Sequence, residues 1–249
     1  HFSLEQESLP LFLRSNIKEF NRLNSVLTKL IEKNLRSYKM QKEFTENASH
    51  ELQTPLAIFQ TKLDLLLQQP DLSEQQADIV QSLYEVSGRL ARLNKDLLLL
   101  AKIDNRQYTQ MEILDVVQLT ENMLPLLNGF TQGTSINEDI QVKSLTVEAN
   151  KTLLESLINN LVVNAVRHNI ANGEIFITIK PDKLIIANTS AEGMLNKDLV
   201  FERFSRSSEK IKGNGLGLAI VKAICNFHGW NIEYQYNENR HEFIVSFIN

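Results

Sequence analysis

The sequence has a single cysteine, Cys225, among its 249 residues. One cysteine excludes a disulfide within the chain, and it indicates a reducing compartment. Because Cys225 lies in the helical run LAIVKAIC, we interpret it as a packing residue. Long apolar runs are also missing: the longest, residues 97–101, is far shorter than the roughly 20 residues that a helix needs to span a bilayer.

An excess of basic residues is missing as well. The formal net charge is −4, so the composition gives no support for nucleic-acid binding, which needs a basic patch. With 43% hydrophobic and 22% charged residues, the composition is typical of an ordinary soluble protein rather than a disordered or fibrous one. The sequence begins with His1 instead of methionine, which indicates a piece of a longer protein, one from which a membrane segment could have been removed.

The first hundred residues have no strand pattern, and their apolar residues recur at alternating steps of three and four. This spacing is typical of helices that pack on helices. Residues 69–73 form a turn signal in which Pro70 breaks one helix and Ser73 fits the N-cap of the next. The pattern predicts a helical hairpin with arms of about thirty residues. Two helices cannot enclose a core, so we expect a dimer that forms a four-helix bundle.

After about residue 106 the pattern changes to a mixture of helices and strands. We expect helices at 115–130 and 150–169, and strands at 135–140, 142–147, 174–179, 183–188, 231–236 and 241–248. Turn residues such as Asn172-Gly173 separate several of these strands. Helices combined with strands that are mostly joined by hairpins predict an α/β sandwich, with helices on one face of a mixed sheet.

The stretch SHELQTP, residues 49–55, places His50 beside Glu51 and before Pro55 on the first helix. A proline inside a helix clashes with the carbonyl four residues earlier, at a cost of about 3 kcal/mol. At about 100° per residue, His50 points away from the apolar seam of this helix, and Thr54 lies on the same outward face. An exposed imidazole can act as a nucleophile near neutral pH, but a surface histidine without a function is the alternative.

A polar stripe runs along the predicted helix LINNLVVNAVRHN, because Asn160 and Asn164 lie four residues apart and Arg167 and His168 continue their line. Asparagine is a poor helix former, so two of them inside an apolar helix need a reason. The stripe is either an exposed helix edge or the lining of a nucleotide pocket. In a pocket, the Asn164 oxygen would suit Mg²⁺ and Arg167 would suit a phosphate.

Glycines alternate in GNGLGLAIV, in which Gly213, Gly215 and Gly217, with Leu216, open an apolar helix. Such a run lets backbone amides approach phosphates at the helix N-terminus. A dinucleotide site would require a strand directly before the run and the spacing G-x-G-x-x-G. Here a polar loop precedes the run and the spacing is G-x-G-x-G, so we reject a dinucleotide site.

The segment FTENASHELQTPLAIF, residues 44–59, closely resembles the phosphoacceptor box of bacterial sensor histidine kinases. The resemblance implies that His50 accepts a phosphoryl group from ATP and passes it to an aspartate on a response regulator. It also implies that Glu51 is the acid/base partner of His50 and that Thr54 positions water when phosphate is removed from the regulator. Pro55 would bend the helix near the acceptor.

The second half resembles the Bergerat-type ATP-binding domain of this family, which implies ATP and Mg²⁺ as cofactors. Residues 157–169 look like its asparagine box, with Asn164 as the metal ligand, and FERFSR and the glycine run look like the elements on either side of a lid at 205–212. The nucleotide-binding residues that the resemblance implies are Asn160, Asn164, Arg167, His168, Asn188, Phe204, Arg206, Gly213, Gly215, Leu216 and Gly217. One element departs from the family: Asn188 stands where an aspartate usually accepts a hydrogen bond from adenine.

The resemblance implies three regions: a signalling helix or linker (1–39), a dimerisation and histidine-phosphotransfer domain (40–106) and a catalytic ATP-binding domain (107–249). It further implies a homodimer, a response-regulator receiver domain as partner, and the cytoplasmic portion of a bacterial inner-membrane protein whose membrane-anchored sensor region is outside this sequence. Two other hypotheses remain at this point. Asn188 favours a degenerate module that binds nucleotide without catalysis. Gyrase-like and chaperone-like ATPases resemble the second half but lack SHELQTP.

Overall fold

The computed structural model describes residues 16–127, 134–205 and 214–247, except the side chains of residues 38, 42, 44–46, 48–50 and 126–127. Within these residues the chain forms five α-helices and seven β-strands. It divides into two compact units between Gln107 and Tyr108. None of the described helices has the length and apolar character that crossing a membrane requires.

The first unit is a helical hairpin of α1 (Lys18–Leu67) and α2 (Glu74–Asp104). The predicted N-cap of α2 is confirmed: Ser73 Oγ accepts a hydrogen bond from the Gln76 amide, and Gln76 Oε1 accepts one from the Ser73 amide. Such a reciprocal pair satisfies two amides that the helix itself leaves unpaired. The second arm has 31 residues, close to the predicted length.

The first arm differs from its predicted length, because α1 is one continuous helix of 50 residues. Neither glycine nor proline occurs between residue 18 and Pro55, so nothing in that stretch favours a break. Pro55 itself lies inside α1. The helix therefore continues through a position where one backbone hydrogen bond is missing.

The hairpin buries only part of its apolar surface. Leu63 and Leu100 are buried, and few other large side chains among the described residues of the hairpin are. A second apolar strip stays open, and it forms a groove lined by Leu52, Pro55, Leu56, Phe59, Leu90, Leu93, Asn94 and Leu97. An exposed strip of this kind is what a single hairpin taken from a four-helix bundle presents to solvent.

The second unit contains a five-stranded mixed sheet in the order β2-β4-β5-β7-β6. Its strands are β2 (Ser135–Ile140), β4 (Glu174–Lys180), β5 (Lys183–Thr189), β6 (Asn231–Asn237) and β7 (Arg240–Ser246). Strand β2 pairs with β4 in parallel, and the other pairs are antiparallel. A separate antiparallel pair joins β1 (Glu112–Asp115) to β3 (Thr146–Ala149).

Three helices accompany the sheet: α3 (Val116–Leu127), α4 (Lys151–Arg167) and α5 (Gly217–His228). Inward-facing residues alternate along β4, where Ile175, Ile177 and Ile179 are completely buried. The buried faces of α4 and α5 supply the rest of the core, which includes Leu153, Leu157, Leu161, Ile220 and Ile224. Each such side chain contributes about 1.5–3 kcal/mol of burial free energy, which holds the helices on the sheet.

Most predicted elements of this unit are confirmed. Strand β2 occupies its predicted residues, and β4, β5 and β6 each extend one residue further. Strand β7 begins one residue earlier and ends at Ser246, and residues 248–249 lie outside the described chain. The prediction of a strand at 142–147 was wrong: β3 runs from Thr146 to Ala149, because the Leu145 amide bonds the carboxylate of Asp115 instead of a neighbouring strand. Strand β1 was not predicted.

Candidate functional site

The predicted phosphoacceptor lies on α1, but only its backbone is described. His50 is helical, and its side chain is outside the described residues, so its outward orientation stays a prediction. The neighbouring side chains of Glu51 and Thr54 are both exposed. The outward face predicted for this part of the helix is therefore open at Thr54, one turn beyond His50.

A cavity in the second unit brings together residues that are far apart in the sequence. It lies between the end of α4, strands β5 and β7, and the beginning of α5. Seven of the residues that the resemblance implied line it: Asn160, Asn164, Arg167, His168, Asn188, Gly215 and Gly217. Among the described residues, Leu216 is buried and Phe204 is 56% exposed, and neither lines the cavity. Arg206 and Gly213 lie outside the described residues, as does most of the predicted lid.

Asn188, at the end of β5, presents an unpaired oxygen. The residue is completely buried. Its Nδ2 donates to the carbonyl oxygens of His168, at 3.1 Å, and Thr189, at 2.9 Å. Both amide protons are therefore used, which fixes the orientation of the side chain. The Asn188 Oδ1 is buried without a partner among the described residues. Since buried polar atoms are almost always hydrogen-bonded, this acceptor fits a ligand that carries a donor.

The beginning of α5 is shaped by two glycines. Gly215 has a φ of +67°, and its carbonyl accepts a hydrogen bond of 2.8 Å from the Phe204 amide. A Cβ at Gly215 would approach the Phe204 backbone to 2.9 Å, so a side chain is excluded there. At Gly217, a Cβ would lie 3.1 Å from Asn160 Oδ1, which brings α5 close to α4. Among the described residues, no side chain caps α5, so its first amides can bind an anion.

Two histidines of the cavity are held neutral. Burial lowers the pKa of His168, the charge of Arg167 lowers it further, and Glu192 opposes this. Burial also lowers the pKa of His241, which Glu192 raises and His168 lowers. Because the ordinary value is 6.5, both imidazoles are uncharged near pH 7.

His241 was not predicted as a cavity residue, although its sequence pattern carried a signal. Along β7 the buried positions alternate as His241, Phe243 and Val245. A strand with this period places all three side chains on one face. A histidine on the apolar face of a strand is unusual, and that could have identified it. Glu192 and Leu195 also line the cavity, but they lie in an irregular segment without a recognisable pattern.

The described residues of the cavity form no preformed cage for a metal ion. Within residues 16–127, 134–205 and 214–247, no group of three histidine, cysteine or acidic side chains is placed to hold a metal. The predicted ligand Asn164 is half-buried and lines the cavity. Mg²⁺ is commonly held by one or two protein oxygens together with phosphates and water, so a single amide oxygen in this position fits that donor set.

Two protein families match the chain. The family described as the His Kinase A (phospho-acceptor) domain matches residues 40–106. The family described as histidine kinase-, DNA gyrase B- and HSP90-like ATPase matches residues 149–248. The first match includes SHELQTP, and the second includes the cavity.

Curated relatives agree with these matches. The heme sensor protein HssS of Staphylococcus saprophyticus is 31% identical over 210 residues, which are 80% of this chain and 45% of HssS. The sensor protein CutS of Streptomyces coelicolor is 29% identical over 230 residues, which are 88% of this chain and 55% of CutS. The chain thus spans about half the length of the curated relatives it matches.

A solved structure supports the fold. The crystal structure of full-length ShkA in complex with AMPPNP has a TM-score of 0.65 at 22% identity, over 82% of this chain and 45% of that one. At this identity the likeness shows the fold alone. The predicted fold class, a helical hairpin followed by an α/β ATP-binding domain, is confirmed. The chain belongs to the sensor histidine kinases of two-component systems, and it carries their phospho-acceptor domain and their ATPase domain.

Proposed function

We propose that His50 of this chain accepts the γ-phosphoryl group of ATP and passes it to an aspartate on a response regulator. The observation that carries this proposal is the unpaired, buried Oδ1 of Asn188 in the cavity. This acceptor is open to a hydrogen-bond donor, and the 6-amino group of adenine is such a donor. Asn188 was also the only support for a module without catalysis; such a module would bind the base in the same way, so phosphoryl labelling of His50 is what distinguishes the two.

The cavity residues fit a nucleotide from base to phosphates. Asn188 accepts from the base, and the uncapped N-terminus of α5 binds phosphate through its amides. Arg167, at the end of α4, also lines the cavity and provides positive charge for a phosphate. The Asn164 oxygen, which lines the cavity, would hold Mg²⁺, and the ion would neutralise part of the phosphate charge.

The hairpin residues perform the transfer. The bond between the β- and γ-phosphates of ATP breaks as the phosphoryl group moves to His50, and ADP leaves; Mg²⁺ would supply partial neutralisation of the phosphate charge. His50 provides the attacking ring nitrogen, and Glu51 holds the proton on the other nitrogen. Thr54, exposed one turn further along α1, positions water when the same protein removes phosphate from the regulator. Positioning, rather than covalent chemistry by the ATPase domain, accounts for most of the catalysis.

We also propose that the hairpin works as a homodimer. Large apolar side chains are exposed along the groove, among them Leu52 at 53%, Phe59 at 46% and Leu90 at 51%. Asn94 lies in the same groove, and its Nδ2 is buried without a partner among the described residues. A second hairpin would cover this surface and offer carbonyl or side-chain acceptors to Asn94.

The remaining parts of the proposal concern the longer protein. Residues 1–39 are assigned to a signalling linker, 40–106 to dimerisation and phosphotransfer, and 107–249 to ATP binding. The curated relatives are sensor proteins about twice as long as their matched portions. We therefore assign this chain to the cytoplasmic side of a bacterial inner-membrane sensor, with a receiver domain as its partner.

Radiolabelled ATP with Mg²⁺ tests the kinase reaction. We expect label that is acid-labile and base-stable, as phosphohistidine is, and complete loss of label in His50→Ala. The matched control is Gln53→Ala, which truncates an exposed side chain on the same helix and should keep the label. If the wild-type chain binds ATP but acquires no label, the chain is a nucleotide-binding module and the kinase proposal is wrong.

A further inference from the structure

His241 lies beside Asn188 at the base end of the cavity. The two residues are directly opposite each other on the neighbouring antiparallel strands β7 and β5. Side chains opposed in this way leave the sheet on the same face, with Cβ atoms about 5 Å apart. His241 is only 3% exposed and lines the cavity together with Asn188. A ligand that reaches the oxygen of Asn188 therefore also meets the imidazole.

The hydrogen bonds around His241 favour one position for the proton of its ring. The Leu195 amide donates to the hydroxyl oxygen of Tyr234 at 3.0 Å. That hydroxyl lies 2.8 Å from His241 Nδ1. The amide can only donate, so Tyr234 accepts there; with the Tyr234 proton directed to Nδ1, the hydroxyl group both accepts and donates and no polar atom of this group is left unpaired. The neutral imidazole of His241 then carries its proton on Nε2.

This Nε2–H donor is free for a ligand. Among the described residues, nothing hydrogen-bonds to Nε2 of His241. The cavity wall thus presents an acceptor, Asn188 Oδ1, next to a donor, His241 Nε2–H. Adenine presents the complementary pair on one edge: the 6-amino group is a donor, and the neighbouring N1 is an acceptor. Guanine reverses both positions, since its 6-oxygen accepts and its N1 carries a proton.

We propose that His241 is a base-specificity residue, which donates from Nε2 to N1 of adenine while Asn188 accepts from the 6-amino group. This inference rests on the proposed function, because it assumes that an adenine nucleotide occupies the cavity. Tyr234 acts as a positioning residue, since it fixes the tautomer of His241. A histidine with a purely structural role would stabilise the sheet through Tyr234 without distinguishing one base from another.

Binding of nucleotide analogues to the full chain, measured by calorimetry, tests this proposal. The probes are ADP, 1-deaza-ADP, in which N1 is replaced by a carbon, and the purine analogue of ADP that lacks the 6-amino group. We expect 1-deaza-ADP to bind about 10-fold more weakly than ADP, because a buried donor loses its partner. The analogue without the amino group should bind more weakly by a similar factor, because the oxygen of Asn188 loses its donor. GDP should bind more weakly than either analogue.

Two variants distinguish a role of His241 in recognising the base from a purely structural role. In His241→Phe we expect ADP to bind about 10-fold more weakly, and ADP and 1-deaza-ADP to bind equally. Tyr234→Phe keeps the ring of His241 but removes the hydroxyl group that holds the ring proton on Nε2. We therefore expect a smaller difference in affinity between ADP and 1-deaza-ADP, while the protein stays folded. Equal binding of ADP and 1-deaza-ADP to the wild-type chain overturns the role of His241 and leaves the proposed function intact. Failure of every adenine nucleotide to bind overturns both.

Discussion

Asn188 shows at the residue scale how a departure from the family pattern can be supported by its surroundings. The family usually has an aspartate here, which only accepts hydrogen bonds. In this chain the side chain is held between two carbonyl oxygens, those of His168 and Thr189, and it donates to both. Its oxygen has no partner among the described residues, and the residue lines the cavity. The asparagine therefore preserves the acceptor while the local backbone requires a donor.

Restoring the family residue should weaken this protein. In Asn188→Asp, a carboxylate oxygen would face two carbonyl oxygens that have lost their donor. We expect the free energy of unfolding of the second unit to fall by about 1–3 kcal/mol. Trp230, the only tryptophan of the chain, lies in this unit, so its fluorescence during urea denaturation is the measurement.

The matched control for this change is Asn237→Asp on the exposed end of β6. It makes the same substitution in a solvated position, and we expect a change within about 0.5 kcal/mol. An Asn188→Asp variant that is as stable as the wild type would contradict the role given to the two carbonyl oxygens.

Individual residues differ in how far the sequence alone reveals them. Asn160 and Asn164 could be recognised because the helical period brings them into one line. His241 was missed because its neighbour Asn188 is far away in the sequence, and only the strand register places them together. The orientation of the Asn188 amide likewise depends on the His168 carbonyl, 20 residues away. Contacts of this range leave no local pattern.

At the scale of elements, strands and helices with a long, regular apolar pattern could be predicted from the sequence. Elements too short for such a pattern could not. Strands β4 and β5 were predicted almost to the residue, because β-branched side chains recur and turn residues bound them. Strand β1 has only four residues, of which two are exposed, so its pattern is too short to recognise. The length of α1 was underestimated because the apolar series in the sequence was read as separate pieces of helix.

His228 joins three elements through one neutral ring. At the end of α5, its Nδ1 donates to the Ile224 carbonyl at 2.9 Å, and its Nε2 accepts from the Asn150 amide at 3.1 Å. The ring stacks on Trp230, with centroids 4.3 Å apart. Asn150 is the N-cap of α4, and its side chain donates to the Gln110 carbonyl. A proton on Nε2 would face the Asn150 amide and break this connection.

We therefore expect the second unit to lose stability in acid partly through His228. Burial lowers the pKa of His228 below its ordinary value of 6.5, although the hydrogen bond to Ile224 opposes this. The unfolded chain then binds more protons than the folded one as the pH falls below 6.5. The contribution of neutral His228 to the free energy of unfolding is complete above pH 6.5. It is lost as the pH falls toward the pKa of His228 in the folded protein.

Unfolding free energies between about pH 7 and pH 5 test this expectation. His228→Phe keeps an aromatic ring beside Trp230 and removes the titration, so the decrease in stability with falling pH should be smaller than in the wild type. Some decrease should remain, because burial also lowers the pKa values of His168 and His241. An identical pH dependence in the variant and the wild type would show that His228 does not contribute.

At the scale of the whole molecule, the two units differ in how their cores are completed. The second unit encloses its own core, with many completely buried apolar side chains. The hairpin does not, since its groove leaves Leu90 at 51% and Leu97 at 39% exposure. Apolar surface of this extent is costly in water unless another molecule covers it. Because all the groove residues lie on a two-helix hairpin, a second hairpin of the same shape is the simplest cover.

A charge in the groove should therefore separate the dimer while leaving the ATP cavity unchanged. Leu90→Glu would place a carboxylate in the centre of the expected interface, where burial without a partner is unfavourable. We expect sedimentation equilibrium to show a dimer for the wild type and a monomer, or a dimer at least about 10-fold weaker, for the variant. ADP binding should be unchanged.

Arg89→Glu is the matched control, since Arg89 is an exposed neighbour outside the groove. A Leu90→Glu variant that dimerises like the wild type would contradict the assignment of this groove as the subunit interface.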